Sequence, residues 1–300
     1  MPSSGFRSHP APVQDYAAAV EKVQAIQARE TATPGFNSRL QTILMSHGRK
    51  TGRAVLWFHG YTATTLQFKP LAELCFQKGY NVLIPCVPHH GMQDRLSAEV
   101  SKIDARELVH FSDEMTDLAR GLGEELIVGG LSMGGVQTAW VAQERADVAM
   151  AIIIAPFLGA RIIPTPLTGM AALAFRLLPD ILQWWDPEKK EHLDGPAYTY
   201  PRYSTHSLGQ ILGLGFQTFA LARRKPPAAG KVWVVINDHD ESVNNAMVQR
   251  LVDTWQRSNA GNVQTFHFAD ELGIPHDCIS IEQPTAKTPI VYGELMRMVG

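Results

Sequence analysis

The sequence has few of the features of disulfide-bonded or nucleic-acid-binding proteins. Its 300 residues include only three cysteines, Cys75, Cys86 and Cys278. An odd number without paired spacing predicts neither a disulfide framework nor a Cys-x-x-Cys metal site. The 27 Lys and Arg residues nearly balance the 29 Asp and Glu residues, and the net charge is −2. Without a basic run, we expect no nucleic-acid partner.

The sequence also lacks a long hydrophobic run. Its most apolar stretches, residues 149–160 and 167–178, are interrupted by Pro156 and Arg176. Both are shorter than the roughly 20 residues that span a bilayer. Residues 1–12 contain three prolines and no apolar segment, which predicts no signal peptide. We therefore expect a cytoplasmic protein without stable membrane insertion, and its free thiols are compatible with a reducing compartment.

The pattern that is present is an alternation of short apolar runs with amphipathic segments. With 45% hydrophobic and 19% charged residues, the composition is that of a globular protein. Alternating strands and helices predict an α/β fold with a mostly parallel central sheet and helices on both faces. The predicted strands cover residues 40–45, 54–58, 81–87, 125–128, 148–155, 231–236 and 262–268. The predicted helices cover residues 13–31, 66–78, 105–121, 133–144 and 243–257, and a last one lies around 290–298.

The alternation stops over residues 158–227, a segment rich in apolar residues and proline and without a convincing strand. We interpret it as several short helices inserted between two core strands, which form a cap. The predicted organisation is an N-terminal tail and helix (1–38, loose up to Pro12), a core (39–157 and 228–300) and the helical cap (158–227).

Residues 130–134 read Gly-x-Ser-x-Gly between a predicted strand and a predicted helix. A nucleophile on so sharp a turn has a strained backbone, and bulky residues two positions to either side would clash. The context predicts that Ser132 is a nucleophile. The alternative is a glycine-rich helix start in which Ser132 is only a cap.

A serine hydroxyl needs a base, and the base needs a carboxylate that orients it. In the fold that carries a Gly-x-Ser-x-Gly turn between a strand and a helix, the chain order is serine, acid, histidine. Three histidines follow the cap: His239 adjoins the acidic residues, and His267 lies within a strand. His276 lies in a loop after the last strand, and we favour it as the base.

The acid is expected in the loop after the strand 231–236. Asp238, Asp240 and Glu241 compete there. Asp240 lies at the tip of the loop, three residues before Val243, and is favoured. Asp238 is the alternative, with an ordinary turn or cap role for whichever residue is not the acid.

Acyl transfer also needs hydrogen-bond donors for the oxygen on which negative charge develops. The backbone N–H of Met133, which follows the nucleophile, is one candidate. The other is the N–H of Tyr61, in the loop after the strand 54–58, where Gly60 permits a tight bend. The Tyr61 side chain would then line the pocket. A simple strand-to-helix turn capped by Thr65 is compatible with this role.

These motifs, in this order, resemble the α/β-hydrolase superfamily, in particular bacterial carboxylesterases and monoacylglycerol-lipase-like enzymes. The resemblance covers residues 39–299, with the cap matched by position. It implies hydrolysis of carboxylic esters through an acyl-enzyme, without a cofactor, on a small-molecule ester that has an apolar acyl group. Related enzymes often have Gly-His-Gly where this chain has His89, His90 and Gly91, and Gly where it has Asn237. An acyltransferase, thioesterase or peptidase with the same triad is the alternative, followed by a non-catalytic binding protein.

Five residues are further candidates for substrate binding: His59, Gly60, His90, Trp184 and Trp185. Adjacent histidines point apart in an extended chain, so His89 and His90 predict loop positions near the pocket rather than a metal site. An aromatic pair such as Trp184 and Trp185 in an apolar helix is more often packing than a substrate platform. Cys278 is expected to be a buried bystander. No metal and no nucleotide are predicted.

Overall fold

A computed structural model describes residues 6–258 and 261–300 of the chain. The strands are β1 (Ile43–Met45), β2 (Thr51–Phe58), β3 (Asn81–Ile84), β4 (Gly123–Leu131), β5 (Met150–Ile154), β6 (Leu182–Trp184), β7 (Arg202–Ser204), β8 (Lys231–Asn237) and β9 (Val263–Phe268). The helices are α1 (Tyr16–Ala32), α2 (Lys69–Gln77), α3 (Ala105–Leu122), α4 (Met133–Glu144), α5 (Thr168–Leu177), α6 (Thr205–Ala222), α7 (Asn245–Arg257) and α8 (Thr288–Val299).

Seven strands form the central sheet in the order β1-β3-β2-β4-β5-β8-β9. β1 pairs antiparallel with β3, and all other neighbours pair in parallel. The predicted α/β fold with a mostly parallel sheet is confirmed. Because parallel strands end at the same edge of a sheet, the loops after β2, β4, β8 and β9 lie along one edge, where open α/β sheets bind ligands.

The sheet is buried on both faces, which explains its nearly continuous apolar strands. Alternate residues of β2 lie in two separate apolar clusters. Leu56 and Phe58 pack into one, and Val55 and Trp57 into the other. β4 is longer than predicted because its pairing with β2 extends over the whole of β2, from Thr51 to Phe58. α2 is shorter than predicted because a 3₁₀ turn occupies residues 65–68.

The N-terminal tail was predicted to be loose up to Pro12, and for residues 6–12 this is wrong. The backbone N–H of His9 donates to Asp113 at 2.9 Å, and that of Ala11 donates to Asp117 at 3.0 Å. Phe6 packs edge-on against Trp140. Carboxylates buried in α3 therefore hold these residues. Because Asp113 and Asp117 lie more than 100 positions further along the chain, the sequence of the tail gives no sign of these contacts. The rest of the predicted tail, residues 1–5, lies outside the described residues.

The inserted segment, residues 158–227, differs from the prediction in two respects. It contains an antiparallel pair of strands, β6 and β7, and its helix α6 has 18 residues rather than being short. We call residues 182–204 the inserted hairpin. Trp184 lies in β6, so the aromatic pair is not part of a helix. Three-residue strands are too short for a hydrophobic period to show.

Exposed apolar side chains are concentrated on the inserted segment. Leu173 is 57% exposed, Leu177 74% and Leu178 62%, so most of the surface of these three side chains does not pack on the core. Phe175 does pack against the core. Within residues 6–258 and 261–300, no helix combines the length and the apolar character needed to cross a membrane.

Candidate active site

Ser132 lies on the turn between β4 and α4 in a conformation that non-glycine residues rarely adopt, with φ 59° and ψ −113°. The flanking glycines are required by close packing. A Cβ atom at Gly130 would lie 2.4 Å from the carbonyl oxygen of Gly134, and one at Gly134 would lie 2.0 Å from that of Phe58. A hydrogen bond to the neighbouring strand β5 fixes the strained residue, because the N–H of Ser132 donates to the carbonyl of Ile154 at 3.0 Å. Close backbone packing and this hydrogen bond thus maintain the strained conformation of Ser132.

Asp240 and His276 form a short hydrogen bond at the same edge of the sheet. The Nδ1–H of His276 donates to Oδ2 of Asp240 at 2.6 Å. The other oxygen of Asp240 accepts from the backbone N–H groups of Ser242 and Val243, at 2.8 and 2.9 Å. The carboxylate is fully buried. It therefore fixes both the orientation and the tautomer of the imidazole, and leaves Nε2 as the basic nitrogen.

Each group of this pair changes the pKa of the other. Burial opposes ionisation of Asp240, but the charge and the hydrogen bond of His276 outweigh it and lower the pKa of this carboxyl. Burial also disfavours the imidazolium of His276, yet the Asp240 carboxylate outweighs that effect and raises the pKa of His276 above its ordinary value. The arrangement stabilises an imidazolium, the form that a base acquires when it takes a proton from serine.

The competing residues form other pairs on the surface. Asp238 accepts a hydrogen bond from His267 at 3.0 Å, and Asp270 accepts one from His239 at 2.9 Å. All four side chains are well exposed. Cys278 is buried, and burial raises the pKa of its thiol well above the ordinary value, so this residue is a poor nucleophile.

Two residues that the sequence analysis did not single out for a role support the acid and base loops. The side-chain amide of Asn237 donates to the carbonyl of Ile274 at 2.8 Å and so joins the two loops. The guanidinium of Arg161 donates to the backbone carbonyl of Asp240 at 2.6 Å. Asn237 carried a signal, since it replaces the glycine that is common in related enzymes. Arg161 carried none, because its contact spans 79 positions of sequence.

Hydrogen bonds orient the peptide group between Gly60 and Tyr61. Its carbonyl accepts from Nδ1–H of His59 at 2.9 Å and from the N–H of Ala63 at 3.2 Å. Because the C=O and N–H of a trans peptide point in opposite directions, these bonds aim the Tyr61 N–H away from the loop. The N–H of Gly60 donates to the side chain of Gln67 at 2.8 Å. Gln67, also missed from sequence, in turn donates to Asp277, beside His276, at 3.0 Å.

The second candidate donor, the N–H of Met133, lies in the first turn of α4. The first N–H groups of a helix have no partner within the helix, and the helix dipole places partial positive charge there. Both candidate donors therefore suit a negatively charged oxygen. The Tyr61 side chain is largely occupied by protein contacts, since its hydroxyl donates to the carbonyl of Val100 and accepts from the N–H of Ser204.

The histidines proposed for substrate contact are buried. The ring of His59 has both nitrogens occupied by backbone groups, since Nε2 accepts from the N–H of Val87 at 3.1 Å. Burial lowers the pKa of His59 to about 3 and that of His90 to about 4. Both rings are neutral at physiological pH. His59 donates to the carbonyl of Gly60, and His90 packs edge-on against the rings of His59 and Tyr61. The contact of His59 and His90 with substrate stays a prediction.

The two tryptophans have different surroundings. The guanidinium of Arg202 lies 5.5 Å from the centre of the Trp184 ring. The indole N–H of Trp185 donates to the hydroxyl of Thr62 at 3.0 Å. The predicted role of either residue in substrate binding therefore has no support from these contacts. Trp185 contacts the loop that carries Tyr61.

The known proteins that this chain resembles are hydrolases. The family model for the alpha/beta hydrolase family matches residues 54–287. The chain is 30% identical over 200 residues to the thermostable monoacylglycerol lipase of Bacillus sp. (strain H-257), which covers 64% of this chain and 73% of that enzyme. The chain therefore belongs to the alpha/beta hydrolase family. Within it, the protein is a carboxylic ester hydrolase of the lipase and esterase type, similar to monoacylglycerol lipases.

Solved structures show the same fold at low sequence identity. One is a metagenome-derived lipolytic enzyme from the work on LipS and LipT, with a TM-score of 0.62, 16% identity and coverage of 89% of this chain and 98% of that chain. Another is a soluble variant of the monoglyceride lipase of Saccharomyces cerevisiae in complex with a substrate analogue. It has a TM-score of 0.62 and 16% identity, and covers 86% of this chain and 89% of that chain.

Proposed function

We propose that this ester hydrolase acts through Ser132, His276 and Asp240. Ser132 attacks the ester carbonyl, and Nε2 of His276 takes the hydroxyl proton and later delivers it to the leaving alcohol. Asp240 holds the tautomer and stabilises the imidazolium. Water, activated by the same histidine, then releases the acid from the acyl-enzyme. The N–H groups of Met133 and Tyr61 stabilise the oxygen anion of each tetrahedral intermediate.

The observation that carries the proposal is the pairing of a buried carboxylate with His276 at the sheet edge that also carries the strained Ser132. Asp240 is fully buried, and its Oδ2 accepts a 2.6 Å hydrogen bond from Nδ1–H of His276. The loops that carry all three residues follow β4, β8 and β9, which end at the same edge of the sheet. A protein that only binds a ligand has no need of a strained serine and a buried acid–base pair at one edge of its sheet.

We propose esters with an apolar acyl group, including monoacylglycerols, as the substrates. Two observations support this class: the name of the Bacillus relative, and the apolar composition of the inserted segment, which we propose acts as a cap over the sheet edge. Each methylene of the acyl chain buried there would contribute about 0.8 kcal/mol, roughly fourfold in kcat/KM. Activity is expected to rise with acyl length until the pocket ends.

The experiment combines covalent labelling with turnover. Wild-type protein should react with a fluorophosphonate and hydrolyse p-nitrophenyl esters and monoacylglycerols. Ser132→Ala should fold normally and do neither. Ser38→Ala, a change at an exposed serine outside the triad, is the matched control and should be labelled like the wild type. A folded Ser132→Ala protein that retains activity would disprove the triad. Preferential turnover of thioesters or peptides, or transfer of the acyl group to an added alcohol in place of water, would show that the triad catalyses a different reaction from ester hydrolysis.

A further inference from the structure

Thr62 has an unusual backbone conformation in the loop that follows β2. The turn over residues 60–63 is closed by the bond from the Ala63 N–H to the Gly60 carbonyl, and Thr62, its third residue, has φ 62°. Glycine is preferred at such a turn position, because a β-branched residue is crowded when φ is positive. The conformation of Thr62 therefore depends on stabilisation from its surroundings.

The inserted hairpin supplies this stabilisation. The indole N–H of Trp185 donates to the Thr62 hydroxyl at 3.0 Å, and the N–H of Tyr200 donates to the Thr62 carbonyl at 2.8 Å. A third bond, from the N–H of Ser204 to the Tyr61 hydroxyl, is 3.0 Å long. The hydroxyl and the carbonyl of Thr62 thus both accept hydrogen bonds from the hairpin, and so does the hydroxyl of Tyr61, the residue before it.

The hairpin also holds Trp185 in position. The indole packs against the ring of Tyr203, with ring centres 4.3 Å apart and planes tilted by 36°, and the backbone N–H of Trp185 donates to the carbonyl of Pro201. Trp185 is 44% exposed. A change at its ring nitrogen therefore disturbs little packing, which makes its hydrogen bond testable without loss of the fold.

We propose that Trp185 is a positioning residue for ester hydrolysis. By donating to Thr62, it stabilises the positive φ of that residue and keeps the adjoining Gly60–Tyr61 peptide oriented with the Tyr61 N–H toward the developing oxyanion. The inference rests on the proposed function of Tyr61. It gives Trp185 an indirect role, in contrast to the substrate contact that the sequence suggested, and it couples the conformation of the inserted segment to the reactivity of the site.

Trp185→Phe tests the proposal because phenylalanine keeps an aromatic ring against Tyr203 and removes the N–H. We expect kcat on a p-nitrophenyl ester to fall about tenfold with KM changed less than about twofold, because the oxyanion exists only along the reaction path; outright removal of a donor costs roughly 100-fold to 1000-fold. Affinity for a trifluoromethyl ketone, which forms an oxyanion with the serine, should fall by the same factor. The matched control is Tyr203→Phe, which removes a hydrogen bond to Gln183 within the same hairpin and should leave both quantities unchanged.

A second pair of variants tests the coupling through Thr62. Thr62→Gly adopts positive φ without strain and lacks the hydroxyl. In this background, Trp185→Phe should change kcat by less than about twofold, as expected when the partner is already absent. An unchanged kcat in Trp185→Phe, or an equal loss with and without the Thr62 hydroxyl, would overturn this inference alone. A wild-type protein that neither reacts with fluorophosphonate nor hydrolyses esters would overturn the proposed function together with it.

Discussion

At the scale of single residues, the site depends on which of two nearby carboxylates meets the base. Asp238 and Asp240 differ by two positions, yet one is exposed and bonded to His267 and the other is buried and bonded to His276. An Asp→Asn change at the buried position removes the charge that stabilises the imidazolium and favours the wrong tautomer.

We therefore predict that Asp240→Asn lowers kcat by about 10⁴-fold, the loss seen when the acid of a triad is neutralised. Asp238→Asn, the matched control, should stay within about twofold of the wild type, since surface pairs contribute little. The comparison requires kcat for both variants on one p-nitrophenyl ester and a melting curve for each. A larger loss in Asp238→Asn would place the acid two residues earlier.

The pH dependence of activity gives a second prediction for the same pair. His276 must be neutral to accept a proton, and the Asp240 carboxylate raises its pKa above the ordinary value of 6.5. The value of kcat/KM should therefore fall as the pH drops, with a midpoint above 6.5. In Asp240→Asn the carboxylate is lost while burial of the ring remains, so the midpoint of the residual activity should move to lower pH. A wild-type midpoint below 6.5, or no shift in the variant, would contradict this account of the pair.

At the scale of elements, two helices of the inserted segment pack closely because α6 carries glycine at the contact. A Cβ atom at Gly209 would lie 2.8 Å from Cγ of Arg176 and 2.9 Å from Cβ of Phe175, both in α5. One turn later, a Cβ atom at Gly213 would meet only the end of the Arg176 side chain, at 3.5 Å. The two glycines thus differ in the space around them.

Two alanine substitutions should therefore act in opposite directions. Gly209→Ala overpacks the α5–α6 contact and should destabilise the protein by about 1–3 kcal/mol. Gly213→Ala has room and gains helix propensity, so it should stabilise the protein by up to about 1 kcal/mol. Chemical denaturation of both variants measures the difference. Equal effects of the two changes would show that α5 and α6 are not in close contact at Gly209.

At the scale of the whole molecule, a buried arginine connects parts of the chain that are distant in sequence. Arg145 is fully buried and pairs with Asp117 at 2.6 Å and Asp147 at 2.8 Å, with Asp113 farther away at 3.5 Å. Asp113 and Asp117 also accept hydrogen bonds from residues 8–11. The N-terminal segment, α3 and the end of α4 therefore share one charge network, in which each buried carboxylate depends on Arg145.

Local sequence patterns determined the parallel sheet and the loops that lie at the edge carrying the candidate site. Apolar strands that alternate with amphipathic helices leave few arrangements other than a parallel sheet, and this was predictable without coordinates. Gly130 and Gly134 marked the turn at Ser132, since the backbone contacts there exclude larger residues. Chain order together with position in the loops was enough to favour His276 and Asp240, which the structure joins by a hydrogen bond. Their catalytic roles remain predictions.

Only the tertiary structure decided which distant groups meet. The bonds of Ala11 to Asp117, Gln67 to Asp277 and Trp185 to Thr62 join residues more than 100 positions apart. No local period or propensity records such contacts, because they follow from how the loops and the inserted segment pack. The positive φ of Thr62 was equally hidden, since threonine is a poor predictor of that conformation. It is maintained by hydrogen bonds from the hairpin, which exist only once the chain has folded.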